Sequence, residues 1–413
     1  MTEAAGMTPA AGVTEVAAAL ADWAAALDPS PADLELARRS LVDTVAVAVA
    51  ACDDAVAGLL DPLGTAGRWT ALAHVLDFDD LHMPSTAHIS AICVPVALAT
   101  GGGARAYLAG AGVMARLGAA LGWPHYARGW HATCTAGAPA AAACAAAAEG
   151  AGAEGIATAM ALAVPAAGGV QRAFGTAAKS LQVAFAADAG VRAARLAAAG
   201  ASADPAAVDQ WLALVGGDTR RLALDGPAVP DGLAIKLFPC CYALQRPMAA
   251  VRSLRERGVA AGAVERIVVR TRRSTVAPLI HDRPVTGLQG KFSLPYGVAA
   301  ALLDEHPGFA AFTDAGVRRA AAQALLRRVA LEASPGGDGL LDGVVEVEAV
   351  VRDGRTERVA LELPPGAPGR PPSAGELAAK VADCTGPLAA TVLALDWDGA
   401  AALLREQRVG ARA

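Results

Sequence analysis

Leu34-Glu-Leu-Ala-Arg-Arg-Ser-Leu-Val-Asp-Thr-Val-Ala-Val-Ala-Val49 decides the reading of the fold. Leu34, Leu41, Val45 and Val49 recur near helical spacing, and the second half is apolar all round, as in a helix buried among other helices. Just upstream, Ser30-Pro31 supplies an N-cap followed by proline at the first helical position. Working outward, Ala-rich stretches predict helices over 69–80, 90–100, 104–121, 138–149, 153–168 and 183–199. Gly101-Gly-Gly, Gly122–Pro124, Gly150–Gly155 and Gly200–Pro205 punctuate them. Small side chains let such helices pack closely, so residues from about 10 to 230 are expected to form a compact all-α layer.

The character changes after about residue 230. Val264-Glu-Arg-Ile-Val-Val-Arg-Thr reads as a strand, and 344–352 with 355–363 reads as a hairpin turning at Asp353-Gly354. Helical stretches at 293–304 and 315–330 lie between them. Pro364 to Pro372 reads as a Pro/Gly-rich linker, and Ser373-Ala-Gly-Glu376 as a capping-box start. The expected fold is mainly α: a helical domain (1–232), a smaller α+β domain (233–370), and C-terminal helices (371–413) that return to the first domain.

The 413 residues are 54% hydrophobic but only 4% aromatic, which argues against disorder. A net charge of −5 leaves no basic field to recruit nucleic acid or anionic membrane. Seven cysteines without regular spacing make no disulfide framework and suit reduced thiols in a cytoplasmic protein. Met1–Glu15 lacks a basic start and carries Glu3 and Glu15, unlike a secretory leader. Residues 133–148 are uncharged but too weakly hydrophobic to span a bilayer; a buried helix is the expectation.

Only four lysines occur: Lys179, Lys236, Lys291 and Lys380. Where other basic positions are arginine, a lysine that persists has a raised chance of being needed as a compact point charge, against plain chance survival. The densest acid/His cluster is Asp77-Phe78-Asp79-Asp80 with His82 and His88. Asp77 and Asp80, three apart, would share a helix face. A metal reading lacks a partner motif, so a carboxylate-tuned histidine acting as acid or base is preferred, with a capped, solvated turn as the plainer alternative. His131 precedes an Ala-rich helix, where the positive dipole end favours neutral imidazole and free N–H groups can take a carboxylate. The alternative there is capping by Thr133 or Thr135. Cys134 has no adjacent base to make it a nucleophile. Lys236 in Lys-Leu-Phe-Pro-Cys-Cys241 suits an anion; adjacent cysteines make no zinc clamp. Lys291 and Ser293 before the next helix also suit an anion, and Tyr296 is placed to deliver a proton or to sit as an interface aromatic. No Gly-rich segment has the spacing of a nucleotide cradle.

At these residues the chain resembles the MmgE/PrpD family, which includes 2-methylcitrate dehydratase, cis-aconitate decarboxylase and iminodisuccinate epimerase. The resemblance runs from Leu41-Val-Asp-Thr-Val to the C-terminal helix. It rests on Leu76-Asp-Phe-Asp-Asp…His88, Gly129-Trp-His131-Ala-Thr, Lys179-Ser-Leu, Ile235-Lys236…Pro239-Cys-Cys-Tyr and Pro284-Val-Thr-Gly-Leu-Gln-Gly-Lys-Phe-Ser-Leu-Pro-Tyr296. It implies a helical domain, a lid, an active site in the cleft between them, a homodimer, and no metal or organic cofactor. It also implies a small carboxylic acid substrate that loses water or CO₂ or exchanges a proton at carbon. Asp77 and His88 would then belong to the acid/base group. His131, Lys179 and Lys236 would hold or polarise carboxylates, and Tyr296 would complete the site from the lid.

Four positions depart from the family pattern: Leu81 for the usual Thr, Gln182 for His, Gln245 for His, and Cys241 for a decarboxylase-type His. The expected substrate is accordingly a less charged or specialised acid, contacted by Cys241 and Gln245 in the altered positions. The leading expectation is a cofactor-independent lyase, most economically a dehydratase. An isomerase or epimerase comes next, and a silent ligand-binding paralogue is the non-enzyme alternative.

Overall fold

The computed structural model describes residues 15–337 and 339–407. The reading of Met1–Glu15 as no secretory leader falls, up to Thr14, outside the described residues. Among the described residues nine α-helices come first: α1 Val16–Ala26, α2 Pro31–Ala50, α3 Thr65–Val75, α4 Ile89–Ala99, α5 Ala104–Ala127, α6 Ala132–Ala148, α7 Ala153–Ala163, α8 Ala178–Ala198 and α9 Ala206–Leu214. The α+β part carries α10 Gln245–Glu256, β1 Val264–Arg272, short α11 Gly287–Gly290, α12 Leu294–Leu303, α13 Asp314–Arg318, α14 Ala320–Leu326, β2 Val329–Ser334, β3 Val345–Val351 and β4 Thr356–Leu361. Helices α15 Ala374–Thr385, α16 Ala389–Leu393 and α17 Trp397–Glu406 close the chain. The protein is thus mainly helical, with a small α+β lid inserted before the C-terminal helices.

Local chemistry explains the best-defined boundaries. Ser30 caps α2 through Oγ, which accepts from the Asp33 N–H at 3.2 Å, while Asp33 takes the Ser30 N–H at 3.0 Å. Ser373 and Glu376 form the same reciprocal cap on α15. Close helix packing follows from residue size: a Cβ on Gly190 of α8 would sit 2.4 Å from the Ala141 Cβ of α6. One apolar core runs through α1–α9 and takes in Leu377, Val381, Val392 and Leu404 from the C-terminal helices. A second core lies between the sheet and α10, α12 and α14. Leu81, Ala234, Tyr242 and Leu340 form a small apolar seam where the two meet. No helix among the described residues is long and apolar enough to cross a membrane.

The sheet has the order β2-β1-β3-β4. β3 and β4 are the expected antiparallel hairpin, with Gly354 at φ 87 in its turn. β2 is a correction: 315–330 reads as one helix, but α13 and α14 are short and 329–334 is a strand parallel to β1. Val329-Ala-Leu-Glu-Ala has helix-forming residues; the open edge of β1 overrides that propensity, and Arg270 pairs with Glu332 across the two strands at 2.8 Å. A second correction concerns 69–80. Helix α3 stops at Val75, and Asp77 takes a left-handed conformation, φ 58. Asp77 and Asp80 therefore do not share a helix face; they lie in the irregular segment between α3 and α4.

Candidate active site

That segment is where the lysines converge. The Leu76 carbonyl accepts from Lys291 Nζ at 2.6 Å, the Asp77 carbonyl from Lys236 Nζ at 2.8 Å, and the Phe78 carbonyl from Lys380 Nζ at 2.7 Å. Lys179 and Lys236 both reach Asp77 Oδ1, at 2.8 and 3.1 Å. Three consecutive carbonyls and one carboxylate thus take up all four lysines of the chain. This dense set of charge-assisted bonds holds Asp77 in a backbone region that few non-glycine residues adopt. Lys380 also pairs with Asp43 at 2.5 Å, deep beneath the segment.

A half-enclosed cavity with about 50 Å³ of free volume opens beside it. From the helical domain it is lined by Asp77, Leu81, Thr86, His88, Tyr126, His131, Phe174 and Lys179; Lys236 and Cys241 from the junction, with Tyr242, Pro278, Phe292 and Leu340, complete it. The cavity therefore lies in the cleft between the helical domain and the lid.

Burial alone would raise the Asp77 carboxyl, but the Lys179 and Lys236 ammonium groups overcome it and hold the carboxyl far below the usual range. Burial works against the Lys236 charge, yet Asp77 and Asp79 more than offset it and its pKa is raised. Burial lowers Lys291 to about 8, a shift that Asp77 opposes and Lys179 reinforces. Burial, then neighbouring His74 and Lys179, pushes His131 well below the ordinary histidine value, so the imidazole is neutral, as its place at the start of α6 suggests. Burial also raises the Cys241 thiol to about 11 and Cys134 further still, so neither is a thiolate.

Behind His88 stands a pair of residues that sequence reasoning did not single out. Asp79 Oδ2 lies 2.7 Å from His74 Nδ1 and 3.0 Å from His88 Nδ1, and Asp79 and His74 are wholly buried. Burial works against the Asp79 charge, but His88 and His74 carry its carboxyl well below the usual range. Burial takes His74 to about 4 despite Asp79, so His74 is neutral and donates its Nδ1–H. With Nδ1 of His88 turned to Asp79 and the ring lining the cavity, Nε2 is left for the cavity. The only sequence signal was the acid cluster beside His88. His74 lies in the last turn of α3 with nothing local to mark it. The Tyr242 hydroxyl was also missed: it is buried at the cavity without a hydrogen-bond partner, and burial raises its pKa, so it remains a phenol.

His74, Asp79 and His88 place ligand-type atoms within 4.8 Å of one another, the spacing of a metal site. His74 Nδ1 is hydrogen-bonded to Asp79 Oδ2, and an N–H that donates there cannot ligate; His88 Nδ1 lies 3.0 Å from the same oxygen as a charge contact without a hydrogen bond. With His74 Nδ1 committed to Asp79, the set fits a carboxylate flanked by two imidazoles better than a metal cage.

Asp77, His88, His131, Lys179, Lys236 and Cys241 are brought together around the cavity; four other expected residues are not. The Tyr296 hydroxyl donates to the Ala311 carbonyl inside the lid core. Ser293 Oγ caps α12 by accepting the Tyr296 N–H at 3.3 Å, so the anion contact expected of it is taken up by the helix. Gln245 lies behind the wall: its Oε1 accepts the N–H groups of Leu237 and Phe238 at 3.1 and 3.2 Å, and its amide donates to the Phe238 carbonyl at 2.9 Å. It braces the loop that carries Lys236 rather than touching a ligand. Lys291 is buried and does not line the cavity; its ammonium donates to the Leu76 carbonyl.

A helical domain capped by an α+β lid thus gathers buried ammonium, carboxylate and imidazole groups around one cavity. Residues 56–212 match the MmgE/PrpD N-terminal domain and residues 238–396 the MmgE/PrpD C-terminal domain. These matches span well over half of the chain, which belongs to the MmgE/PrpD family. No curated protein matches it.

Proposed function

We propose that this chain is a lyase that eliminates water from a hydroxy carboxylic acid in the cleft beneath the lid, without an organic cofactor. The observation that carries the reading is the Asp79–His88 contact beside the Lys179–Asp77–Lys236 cluster. Asp79 orients His88 and supports the imidazolium that forms when Nε2 removes a proton from the carbon next to the substrate carboxylate. That step builds negative charge on the carboxylate oxygens, where Lys179 and His131 stabilise it. The Tyr242 phenol protonates the hydroxyl leaving the adjacent carbon, so an alkene and water depart; the His88 imidazolium then gives its proton to solvent and the Tyr242 phenolate takes one back from solvent, which restores both groups.

Leu81, Phe292 and Leu340 make part of the wall apolar, which supports an acid with fewer charges than a tricarboxylate. An isomerase would use the same base and grip with no leaving group. The unpartnered Tyr242 hydroxyl suits elimination, where it can protonate the departing hydroxyl. A cytoplasmic homodimer belongs to the same proposal, and light scattering on the purified protein checks the dimer.

The test incubates the protein with a panel of 2-hydroxy and unsaturated di- and tricarboxylates, in which the hydroxyl lies β to one carboxylate, together with 3-hydroxy monocarboxylic acids. New alkene absorbance reports dehydration, CO₂ release reports decarboxylation, and deuterium wash-in without net change reports epimerisation. Alkene formation lost in His88→Ala is the expected result. No turnover, identical in wild type and His88→Ala, points instead to a silent ligand-binding paralogue.

A further inference from the structure

The geometry points to Gln182 as a positioning residue that locks His131 in one tautomer, with Nδ1 as acceptor and Nε2–H turned into the cleft. Gln182 Oε1 accepts the Val170 N–H at 3.0 Å, while its Nε2 lies 3.3 Å from the Val170 carbonyl and 2.8 Å from His131 Nδ1. Turning the amide over would set NH₂ against N–H and oxygen against carbonyl, so the backbone of one residue fixes which end faces the imidazole. That end is a donor, and a nitrogen that accepts it carries no proton. The Cys134 thiol lies 3.3 Å from the same Nδ1 and adds a weak donor there. The loop is itself anchored, since the His131 N–H donates to the Gly169 carbonyl at 3.0 Å.

The other neighbours of the ring do not compete for Nδ1. Phe174 meets it edge-on at 5.0 Å, and His74 stacks at 5.6 Å with its own Nδ1–H given to Asp79. A neutral His131 with Nδ1 accepting has its one proton on Nε2. It is then a hydrogen-bond donor and never the base, and His88 is left as the imidazole that can take a proton. That end of the cleft reads an oxygen acceptor, the carboxylate of the ligand. This role deepens the lyase reading and rests on it for its use, but not for its test. Glutamine also does not titrate, so the lock holds across the neutral range.

The test is a long-range proton–nitrogen spectrum of protein labelled with nitrogen-15 histidine, with His131 assigned by its loss in His131→Gln. Wild type is expected to show a pyridine-type Nδ1 and a pyrrole-type Nε2 for His131. In Gln182→Glu the carboxylate calls for a proton on Nδ1, so Nδ1 becomes pyrrole-type, and KM for any acid found to turn over rises more than kcat falls. Gln182→Leu removes the lock without adding charge and is expected to give averaged or altered His131 signals. The other six histidines serve as a check that either variant is folded. A protonated Nδ1 in wild type, or unchanged His131 signals in both variants, overturns the assignment. A wild-type spectrum as expected with no turnover on any acid sinks the lyase reading and leaves the lock standing.

Discussion

Asp79→Asn is the substitution that probes the catalytic account most deeply. Its carboxylate is wholly buried, and one oxygen faces two imidazole nitrogens at 2.7 and 3.0 Å. Asparagine keeps the volume, and its amide oxygen can still accept the His74 Nδ1–H. What disappears is the negative charge that stabilises an imidazolium at His88. A positioned general base contributes roughly 10²–10⁴ in rate. At about 1.4 kcal/mol per factor of ten, that is about 3–5 kcal/mol of barrier. Asp79 is not among the cavity-lining residues, so the loss should fall on kcat with KM little changed. The assay is steady-state kinetics on an acid identified by alkene formation, with urea unfolding alongside to check the fold. A folded Asp79→Asn protein whose kcat stays near wild type would refute the Asp79–His88 relay.

Four further outcomes follow from other parts of the molecule. Gln245→Leu strands two backbone donors behind the Lys236 loop, the Phe238 carbonyl keeping the Cys240 N–H; at about 1–3 kcal/mol per buried orphan, softened by relaxation, roughly 2–4 kcal/mol is lost in urea unfolding. Lys380→Met leaves Asp43 buried and uncompensated and should cost about 3–5 kcal/mol, most of it recovered in the Lys380→Met/Asp43→Leu pair. Lys291, lowered to about 8, loses its charge as pH rises through that value, so carboxylate affinity should weaken on an alkaline limb there; Lys291→Arg keeps its charge and should remove the limb in a kcat/KM profile. Tyr296→Phe deletes a hydroxyl that serves only the lid core, so turnover should survive with a stability loss of about 1 kcal/mol; a large fall in kcat would return Tyr296 to the site.

The helical layer was legible because its signals are local. Ser30-Pro31 and Ser373…Glu376 announce helix starts through side chains a few residues away, and alanine and glycine content sets how closely helices approach. The strand at 329–334 was not legible, because the edge of β1 that claims it lies some sixty residues earlier in the chain. The scarcity of lysine was informative in an unforeseen way. All four lysines serve the Leu76–Phe78 segment, yet Lys380 acts from below as a brace, and only the folded chain separates it from Lys179 and Lys236. His74 could not be singled out, since its meaning comes from the turn at Leu76–Asp77 that folds Asp79 back onto it. Tyr296 and Ser293 were placed in the site by their position before and within α12. The cap and the lid core satisfy them instead.

The most direct measurement is a crystal structure of the protein with bound acid, using whichever acid of the panel is turned over, trapped in His88→Asn. The account predicts its carboxylate in the cleft, within hydrogen-bond distance of Lys179 Nζ and His131 Nε2, with the carbon that loses its proton facing residue 88. An acid seated elsewhere, or one whose carboxylate avoids both groups, would contradict it.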